Sequence, residues 1–246
     1  MAGSGLFVTG TDTDVGKTTV AVALVRGLIR NGLRSGLRVG VYKPVASGVP
    51  GGAAGSDVAR LWEAAGRPLS MEAVCPQIFS AMISPPRSAR AEGRRVDDAL
   101  LRSGFDAWRD ASDIVIVEGA GGLFSPLGDA TLNADLARDL DLPLVVVDAA
   151  RLGAIGRTLA VVRAARAEGL RVAAVVLSQG EPCGGSRDDP ASPWAIARES
   201  ASDLADRLRP VPVTMLAHHA TAIEPDLDWL RLARSAAQRA VETTPP

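Results

Sequence analysis

Short apolar runs alternate along the chain with longer segments whose apolar residues recur at helical spacing. The runs predict strands just ahead of Gly10 and at 38–42, 113–117, 144–147, 172–177 and 211–215. The helical spacing predicts helices at 18–30 and 97–111, from Asp57 onward, and around Leu136, Leu159, Leu204 and Leu230. This alternation predicts an α/β fold with a doubly wound, mostly parallel sheet and helices on both faces.

The segment from Gly10 to Thr18 predicts a phosphate-binding loop, because it follows a predicted strand and opens a predicted helix. In such loops, backbone N–H groups and the helix dipole bind polyphosphate, while the lysine contacts the terminal phosphates and the hydroxyl ligates Mg²⁺. Thr11 stands where the standard spacing has glycine, so the loop is longer than usual. The predicted nucleotide-binding residues of the loop are Asp14, Val15, Gly16, Lys17, Thr18 and Thr19. We therefore expect residues 1–246 to form a single nucleotide-binding domain of the phosphate-loop type.

Several residues of chemical interest lie just past the carboxyl ends of predicted strands. They are Thr11, Lys43, Glu118, Gly153 and Ser178. The carboxyl ends of parallel strands meet at one edge of a sheet, and ligands bind in the crevice beyond them. The sequence therefore predicts that these residues converge on one site.

A magnesium site is predicted from Thr18, Asp57 and Glu118, which supply the hydroxyl and carboxylates that Mg²⁺ prefers beside phosphate oxygens. Glu118 follows an apolar strand, as the acidic group of many phosphate-loop proteins does. Asp57 falls at a helix start, so the alternative is that it only complements the helix dipole.

Two further features suit charged ligands. Lys43 is a cation beside the loop, suited to stabilising charge on a transferring phosphoryl group, although an exposed lysine before Pro44 is the alternative. The turn formed by Gly153, Ala154, Ile155 and Gly156 opens a helix with N–H groups that suit a carboxylate. An ordinary helix start fits the same turn.

Charge and cysteine content narrow the function class. Lys and Arg number 27 against 28 Asp and Glu, so no global basic field favours a nucleic-acid partner. Cys75 and Cys183 lie outside any metal-binding spacing and are expected to be reduced thiols. The apolar runs are too short to span a bilayer and the first strand leaves no room for a signal peptide. We therefore expect a cytoplasmic protein with no membrane partner.

Four motifs resemble those of the dethiobiotin synthetase family, in the family's order and at similar intervals. They are the loop at 10–18, Tyr-Lys-Pro-Val-Ala-Ser-Gly at 42–48, Ser56-Asp57, and Val-Glu-Gly-Ala-Gly-Gly at 117–122. Ser84-Pro85, Leu152-Gly153 and Ile155 resemble weaker family positions. The resemblance is close in the first two thirds of the chain and poor beyond it.

The resemblance implies an ATP- and Mg²⁺-dependent ring closure in biotin biosynthesis. CO₂ adds to one amine of 7,8-diaminononanoate, ATP phosphorylates the carbamate, and the second amine closes a cyclic urea. By resemblance, Lys17 and Lys43 hold the phosphates and the carbamate, and Thr13 and Ser47 face the diamine. The turn that begins at Gly153 takes the substrate carboxylate, and the family implies a homodimer. The remaining implied nucleotide contacts are Gly119, Ala120, Gly121 and Ser178, and the implied metal ligands are Thr18, Asp57 and Glu118.

The chain departs from the family pattern in three places. Gly156-Arg157 replaces the usual Asn-His, Ser178 replaces the asparagine that reads adenine, and the late proline-containing segment near the base is not recognisable at 215–219. A single hydroxyl cannot reproduce the paired contacts of an asparagine amide, so we predict relaxed selectivity for the base.

Two alternative functions remain: a partitioning-type ATPase switch, which shares the fold, and a cobyrinate-type amidating enzyme, which shares the loop variant. A partitioning-type ATPase switch typically carries an extra lysine early in the loop, and the segment from Gly10 to Asp14 contains none. A cobyrinate-type amidating enzyme needs a glutaminase domain, for which we expect no room in this chain.

Overall fold

The computed structural model describes residues 4–32, 36–182 and 189–233 and contains a six-stranded, all-parallel sheet. The strands are β1 (Gly5–Gly10), β2 (Val39–Tyr42), β3 (Ile114–Gly122), β4 (Leu144–Ala149), β5 (Val172–Ser178) and β6 (Val213–Leu216). Their order across the sheet is β2-β3-β1-β4-β5-β6. Helices connect the strands, so the predicted fold class is confirmed. The predicted single domain stays a prediction.

The helices of the described residues differ widely in length. They are α1 (Lys17–Gly32), α2 (Asp57–Ala64), α3 (Met71–Val74), α4 (Pro85–Ala91), α5 (Leu100–Ser103), α6 (Asp106–Ala111), α7 (Asn133–Asp139), α8 (Ala154–Ala167), α9 (Pro193–Leu208) and α10 (Trp229–Leu232). Among them, no helix is long and apolar enough to cross a bilayer.

The central strands are buried on both faces, which explains their continuous apolar runs. β1 lies between β3 and β4. The chain passes from β1 to the edge strand β2, returns to β3 between them, and then adds β4, β5 and β6 on the other side of β1. The connection after β1 therefore runs toward one edge of the sheet, and the connection after β3 runs toward the other. This reversal opens a crevice at the carboxyl end of β1, which is where ligands of doubly wound sheets bind.

Several predicted element boundaries were wrong. The strand predicted at 113–117 continues to Gly122, so Glu118 lies inside β3 and not past its carboxyl end. The helix predicted at 97–111 is two short helices, α5 and α6, because the chain turns at Gly104. The apolar spacing at Leu101, Phe105 and Trp108 reflects burial of all three side chains and not one continuous helix.

Two predictions fall partly outside the described residues. Cys75 is a free, buried thiol, and burial raises its pKa to about 12. Cys183 lies outside the described residues. The terminal helix is described only over Trp229–Leu232, and Ala237 of the predicted helix lies beyond the described part.

The glycine-rich end of β3 is held by the side chain of Asn133, which is fully buried at the start of α7. Its amide nitrogen, with two N–H donors, lies within hydrogen-bonding distance of the carbonyls of Ala120 (2.7 Å), Gly122 (2.8 Å) and Ser125 (3.1 Å), and its oxygen accepts from the Ala120 N–H at 3.2 Å. Gly119 makes room for this contact, because a Cβ there would overlap the Asn133 amide. These hydrogen bonds, which we call the Asn133 clamp, order the segment that follows Glu118.

We predict that Asn133→Ala lowers the free energy of unfolding by about 2 kcal/mol or more, because several buried backbone groups lose their partner. Urea denaturation measures this change. Asn31→Ala is the matched control, since Asn31 is exposed near the end of α1 and its replacement is expected to cost less than about 0.5 kcal/mol. Equal effects of the two substitutions would contradict the clamp.

Candidate active site

The segment between β1 and α1 has the geometry of a phosphate-binding loop. α1 begins at Lys17, and Gly16 adopts a φ of +94°, a conformation that favours glycine. A Cβ on Gly16 would also meet the Ser178 hydroxyl at the end of β5, 2.4 Å away. The loop therefore packs directly on β5, and this contact requires glycine.

Lys17 and Thr18, in the first turn of α1, lie in the crevice and are largely buried. The Lys17 ammonium donates to the carbonyl of Asp12 at 3.0 Å, which folds the side chain back over the loop. Val15 is buried beneath the loop, whereas Asp14 is exposed with a φ of +56°. Thr19 is exposed and accepts a hydrogen bond from Arg60 of α2 at 3.2 Å.

Lys43 and Glu118 form a buried ion pair beside the loop. The Lys43 ammonium lies 2.5 Å from Oε1 of Glu118, and the two residues are 7% and 1% exposed. The same oxygen accepts from the Thr18 hydroxyl at 2.7 Å, so Glu118 joins α1 to the end of β2. Asp57 is the second carboxylate, 3.5 Å from the Lys43 ammonium. The structure thus brings all three predicted metal ligands around Lys43, which is buried and not an exposed lysine.

The surroundings shift the pKa values of the two lysines in opposite directions. Burial lowers the pKa of Lys17, and the nearby Lys43 charge adds to this against the attraction of Glu118. Burial also opposes the charge of Lys43, but Glu118 and Asp57 outweigh it and raise the pKa of Lys43. Asp57 is itself partly desolvated, yet Lys43, Thr18 and Arg60 lower its pKa. Lys43 and Asp57 are therefore charged at neutral pH.

The oxygen atoms in this cluster fit a magnesium ion. Oε2 of Glu118 is buried and has no hydrogen-bond partner, which is a costly state for a carboxylate oxygen unless a ligand completes it. Thr18 and Asp57 add a hydroxyl and a carboxylate near it. No group of three or more His, Cys, Asp or Glu residues that could hold a metal occurs in the described ranges. The set suits Mg²⁺, which usually binds few protein oxygens and completes its shell with phosphates and water.

The residues predicted to face the substrate lie on loops around the crevice. Thr13 is exposed next to Gly121, which has a φ of +73°. The Ser47 hydroxyl donates to the Ile83 carbonyl at 2.6 Å, so a substrate amine would compete with this bond. The glycine-rich segment, Gly119, Ala120 and Gly121, belongs to β3 and is fixed by Asn133.

In the turn into α8, some of the backbone N–H groups already donate hydrogen bonds within the protein. Gly153 caps the helix with a φ of +88°, and the N–H of Ala154 donates to the carbonyl of Arg151 at 3.0 Å. One N–H group of the turn, that of Ala154, is therefore already paired within the loop. The predicted carboxylate site at this turn stays a prediction. Ile155 and Gly156 carry the N–H groups that a carboxylate would use.

Sequence reasoning missed two side chains that organise the site, Asp148 and Asn133. Asp148 is fully buried at the end of β4 and contacts Thr11 and Arg157, while Asn133 holds β3. A signal for Asp148 was present, since a carboxylate inside an apolar run is costly unless it is paired. No comparable signal marks Asn133, whose partners are backbone groups distant in sequence.

Both lysines of the chain lie in this site. Lys17 and Lys43 are the chain's two lysines, and the other 25 of its 27 Lys and Arg residues are arginine. Both lysines are buried within the crevice. A compact ammonium on a flexible stem suits contact with a single phosphate oxygen, whereas arginine favours planar, two-point contacts.

Comparison with known proteins agrees with this geometry. A family model described as an AAA domain matches residues 4–218. The ATP-dependent dethiobiotin synthetase BioD of Rhodopirellula baltica is 45% identical over 183 residues, covering 70% of this chain and 72% of that protein. The enzyme of the same name from Anaeromyxobacter dehalogenans is 42% identical over 193 residues, covering 78% of this chain and 82% of that protein.

Among solved structures, the MinC:MinD cell division protein complex of Aquifex aeolicus aligns with a TM-score of 0.50 at 14% identity. The alignment covers 99% of this chain and 98% of that chain. At this identity the likeness concerns the fold alone.

We predict that Lys17 loses its proton at a lower pH than Lys43 in the ligand-free protein, because burial dominates at Lys17 and paired carboxylates dominate at Lys43. With lysine labelled by ¹³C at Cε, the chain gives a resonance for each of its two lysines, and an NMR titration follows both. Lys43→Met assigns the resonances by removing one of them. The reverse order of titration would contradict the described electrostatics.

Proposed function

Because the chain belongs to the family of ATP-dependent dethiobiotin synthetases, and is thus an ATP-dependent ligase of biotin biosynthesis, we propose that it closes the ureido ring of dethiobiotin. Its substrates are 7,8-diaminononanoate, CO₂ and ATP. The observation that carries the proposal is the buried Lys43 ammonium, joined to the phosphate loop through Glu118 and Thr18. This arrangement places a cation where phosphoryl transfer would develop negative charge.

The reaction has three steps. One amine of the diamine adds to CO₂ and loses a proton, giving a carbamate. A carbamate oxygen attacks the γ-phosphorus of ATP, which forms a carbamic-phosphoric anhydride and releases ADP. The second amine then attacks the carbonyl carbon and loses a proton, the bond from that carbon to the phosphate oxygen breaks, and phosphate leaves as the five-membered urea ring closes.

The two lysines stabilise the negative charge of different groups in these steps. Lys17 is on the first turn of α1 and binds the terminal phosphates together with the N–H groups of the loop. Lys43 is paired with Glu118 and stabilises the carbamate and the transferring phosphoryl group. Its ion pair with Glu118 fixes the position of the ammonium beside the loop.

Magnesium binds at Thr18, Asp57 and Glu118 in this proposal. The fit rests on the unpartnered Oε2 of Glu118 and on the hydroxyl and carboxylate near it. The ion supplies charge neutralisation at the phosphate oxygens. Asp57 thus serves as more than a helix cap, and Ser56 carries the capping hydrogen bond to the Val58 N–H.

The diamine lies across the loops that surround the crevice. Thr13 and Ser47 face its amines, and its carboxylate binds at the start of α8 to the N–H groups of Ile155 and Gly156. Ser178 lies beneath Gly16, where it supports the loop and leaves the base without the two-point contact of an asparagine. Relaxed selectivity for the base therefore stays part of the proposal.

A homodimer is also proposed. Support comes from large apolar side chains that are exposed in the described part of the chain, among them Met82 (88%) beside Gly48, Leu152 (80%) next to Gly153 in sequence, and Phe124 (45%). Where such side chains form one patch, they commonly mark an interaction surface. A second copy of the chain would cover them.

The proposal is tested by incubating the purified protein with 7,8-diaminononanoate, bicarbonate, Mg²⁺ and ATP. We expect ADP and phosphate release that requires the diamine, with one dethiobiotin formed per phosphate as measured by mass spectrometry. Lys17→Ala is the control for contaminating ATPases, because it removes the lysine of the loop. Phosphate release at the same rate without the diamine would favour the partitioning-type switch.

Lys43→Gln is predicted to lower kcat by about a hundredfold or more, since removing one such electrostatic donor costs about 3 kcal/mol of transition-state stabilisation. Binding of a non-hydrolysable ATP analogue, measured by calorimetry, is expected to change far less. Arg67→Gln removes an exposed cation that pairs with Glu63, and serves as the control with normal turnover. Near-normal kcat for the Lys43 variant would remove this residue from the chemistry.

A further inference from the structure

Asp148 connects the phosphate loop to the helix that the proposed function assigns to the substrate carboxylate. Its side chain is fully buried at the end of β4. Oδ1 accepts from the hydroxyl of Thr11, in the loop, at 2.6 Å and from the N–H of Ala149 at 2.8 Å. Oδ2 accepts from the hydroxyl of Thr158, in α8, at 3.3 Å. One carboxylate therefore contacts both halves of the site.

Arg157 completes this connection from the first turn of α8. Its Nε lies 3.1 and 3.2 Å from the two Asp148 oxygens, and its Nη1 and Nη2 donate to the carbonyls of Leu152 (3.2 Å) and Ala149 (3.4 Å). The guanidinium thus spans the loop between β4 and α8 and binds it at both ends. This loop sets where the N–H groups of Ile155 and Gly156 point.

The guanidinium also lies directly against the helix cap. Gly153 has a φ of +88°, which favours glycine, and a Cβ there would be 2.8 Å from Nη1 of Arg157, so the guanidinium packs against this residue. A cation in the first turn of a helix opposes the helix dipole and is unfavourable for the helix by itself. Asp148 offsets this cost, so helix stability alone does not explain the arginine.

We propose that Asp148 and Arg157 are positioning residues that fix the carboxylate site at the start of α8 and tie it to the phosphate loop through Thr11. The inference rests on the proposed function, since it assigns the diamine carboxylate to this helix. Its consequence is that occupation of the loop by nucleotide and occupation of α8 by the diamine favour each other. Coupling of this kind is reciprocal between the two ligands.

Steady-state kinetics of Arg157→Met tests the positioning role. We expect KM for the diamine to rise about tenfold, because charge-assisted hydrogen bonds that hold the loop are lost. Binding of a non-hydrolysable ATP analogue without the diamine is expected to stay within about twofold. Arg163→Met is the matched control, since Arg163 is exposed two turns further along the same helix. It is expected to leave both constants unchanged.

Arg157→Lys separates positioning from charge. Lysine keeps the positive charge but lacks the planar fork that reaches Asp148 and two carbonyls together. We expect the lysine variant to resemble Arg157→Met. A diamine KM restored by lysine would show that charge alone matters, and it would overturn the positioning role.

Coupling is measured as the factor by which a saturating concentration of the diamine tightens binding of the ATP analogue in calorimetry. Thr11→Val keeps the shape of the side chain and removes its bond to Asp148. We expect a factor above one in the unmodified protein, reduced toward one in both Thr11→Val and Arg157→Met. A factor of one in the unmodified protein, or an unchanged factor in both variants, would overturn the connection.

Failure of the inference is distinguishable from failure of the proposed function. If the unmodified protein forms no dethiobiotin, the proposed function fails and the inference falls with it. If it forms dethiobiotin and Arg157→Met keeps a normal diamine KM, the inference alone is wrong. A variant whose nucleotide affinity and diamine KM deteriorate equally would indicate a general structural role and would also overturn the proposal.

Discussion

The buried ion pair between Lys43 and Glu118 is the interaction on which the arrangement of the site depends. Taking two charges out of water is costly, and a buried pair seldom stabilises a fold more than apolar residues of the same size would. Glu118 moreover keeps one oxygen without a partner. The pair therefore makes physical sense as part of a binding site, in which phosphates and a metal ion would complete the surroundings of the charged groups. Folding stability alone would not select it.

The sheet makes this pair possible. β2, β3 and β1 are adjacent and parallel, so Lys43 at the end of β2, Glu118 within β3 and the loop after β1 lie side by side. Because β3 runs on beyond Glu118 to Gly122, that carboxylate is buried within a strand and cannot turn away into solvent. Asn133 holds the glycine-rich end in place, so the position of Glu118 is secured from the following segment as well.

The fold by itself does not select among the functions that share it. The cell division protein complex of Aquifex aeolicus has a similar fold, and at 14% identity the likeness says nothing about chemistry. Outside the loop, the site of this chain contains Lys43 and the turn into α8. The relatives from Rhodopirellula baltica and Anaeromyxobacter dehalogenans share 45% and 42% identity with this chain. The family therefore follows from these relatives and not from the fold.

The sequence by itself determined the fold class, the phosphate-binding loop and the group of residues that meets there. Buried parallel strands must be apolar throughout, and a loop that binds phosphate needs small residues before a helix. Both patterns lie within short stretches of the chain, so they can be recognised from the sequence. Only the tertiary structure decided that Glu118 lies inside β3, that Asn133 clamps this strand, and that Asp148 joins Thr11 to Arg157. These contacts link residues far apart in the chain, and no local pattern specifies which buried polar groups become partners.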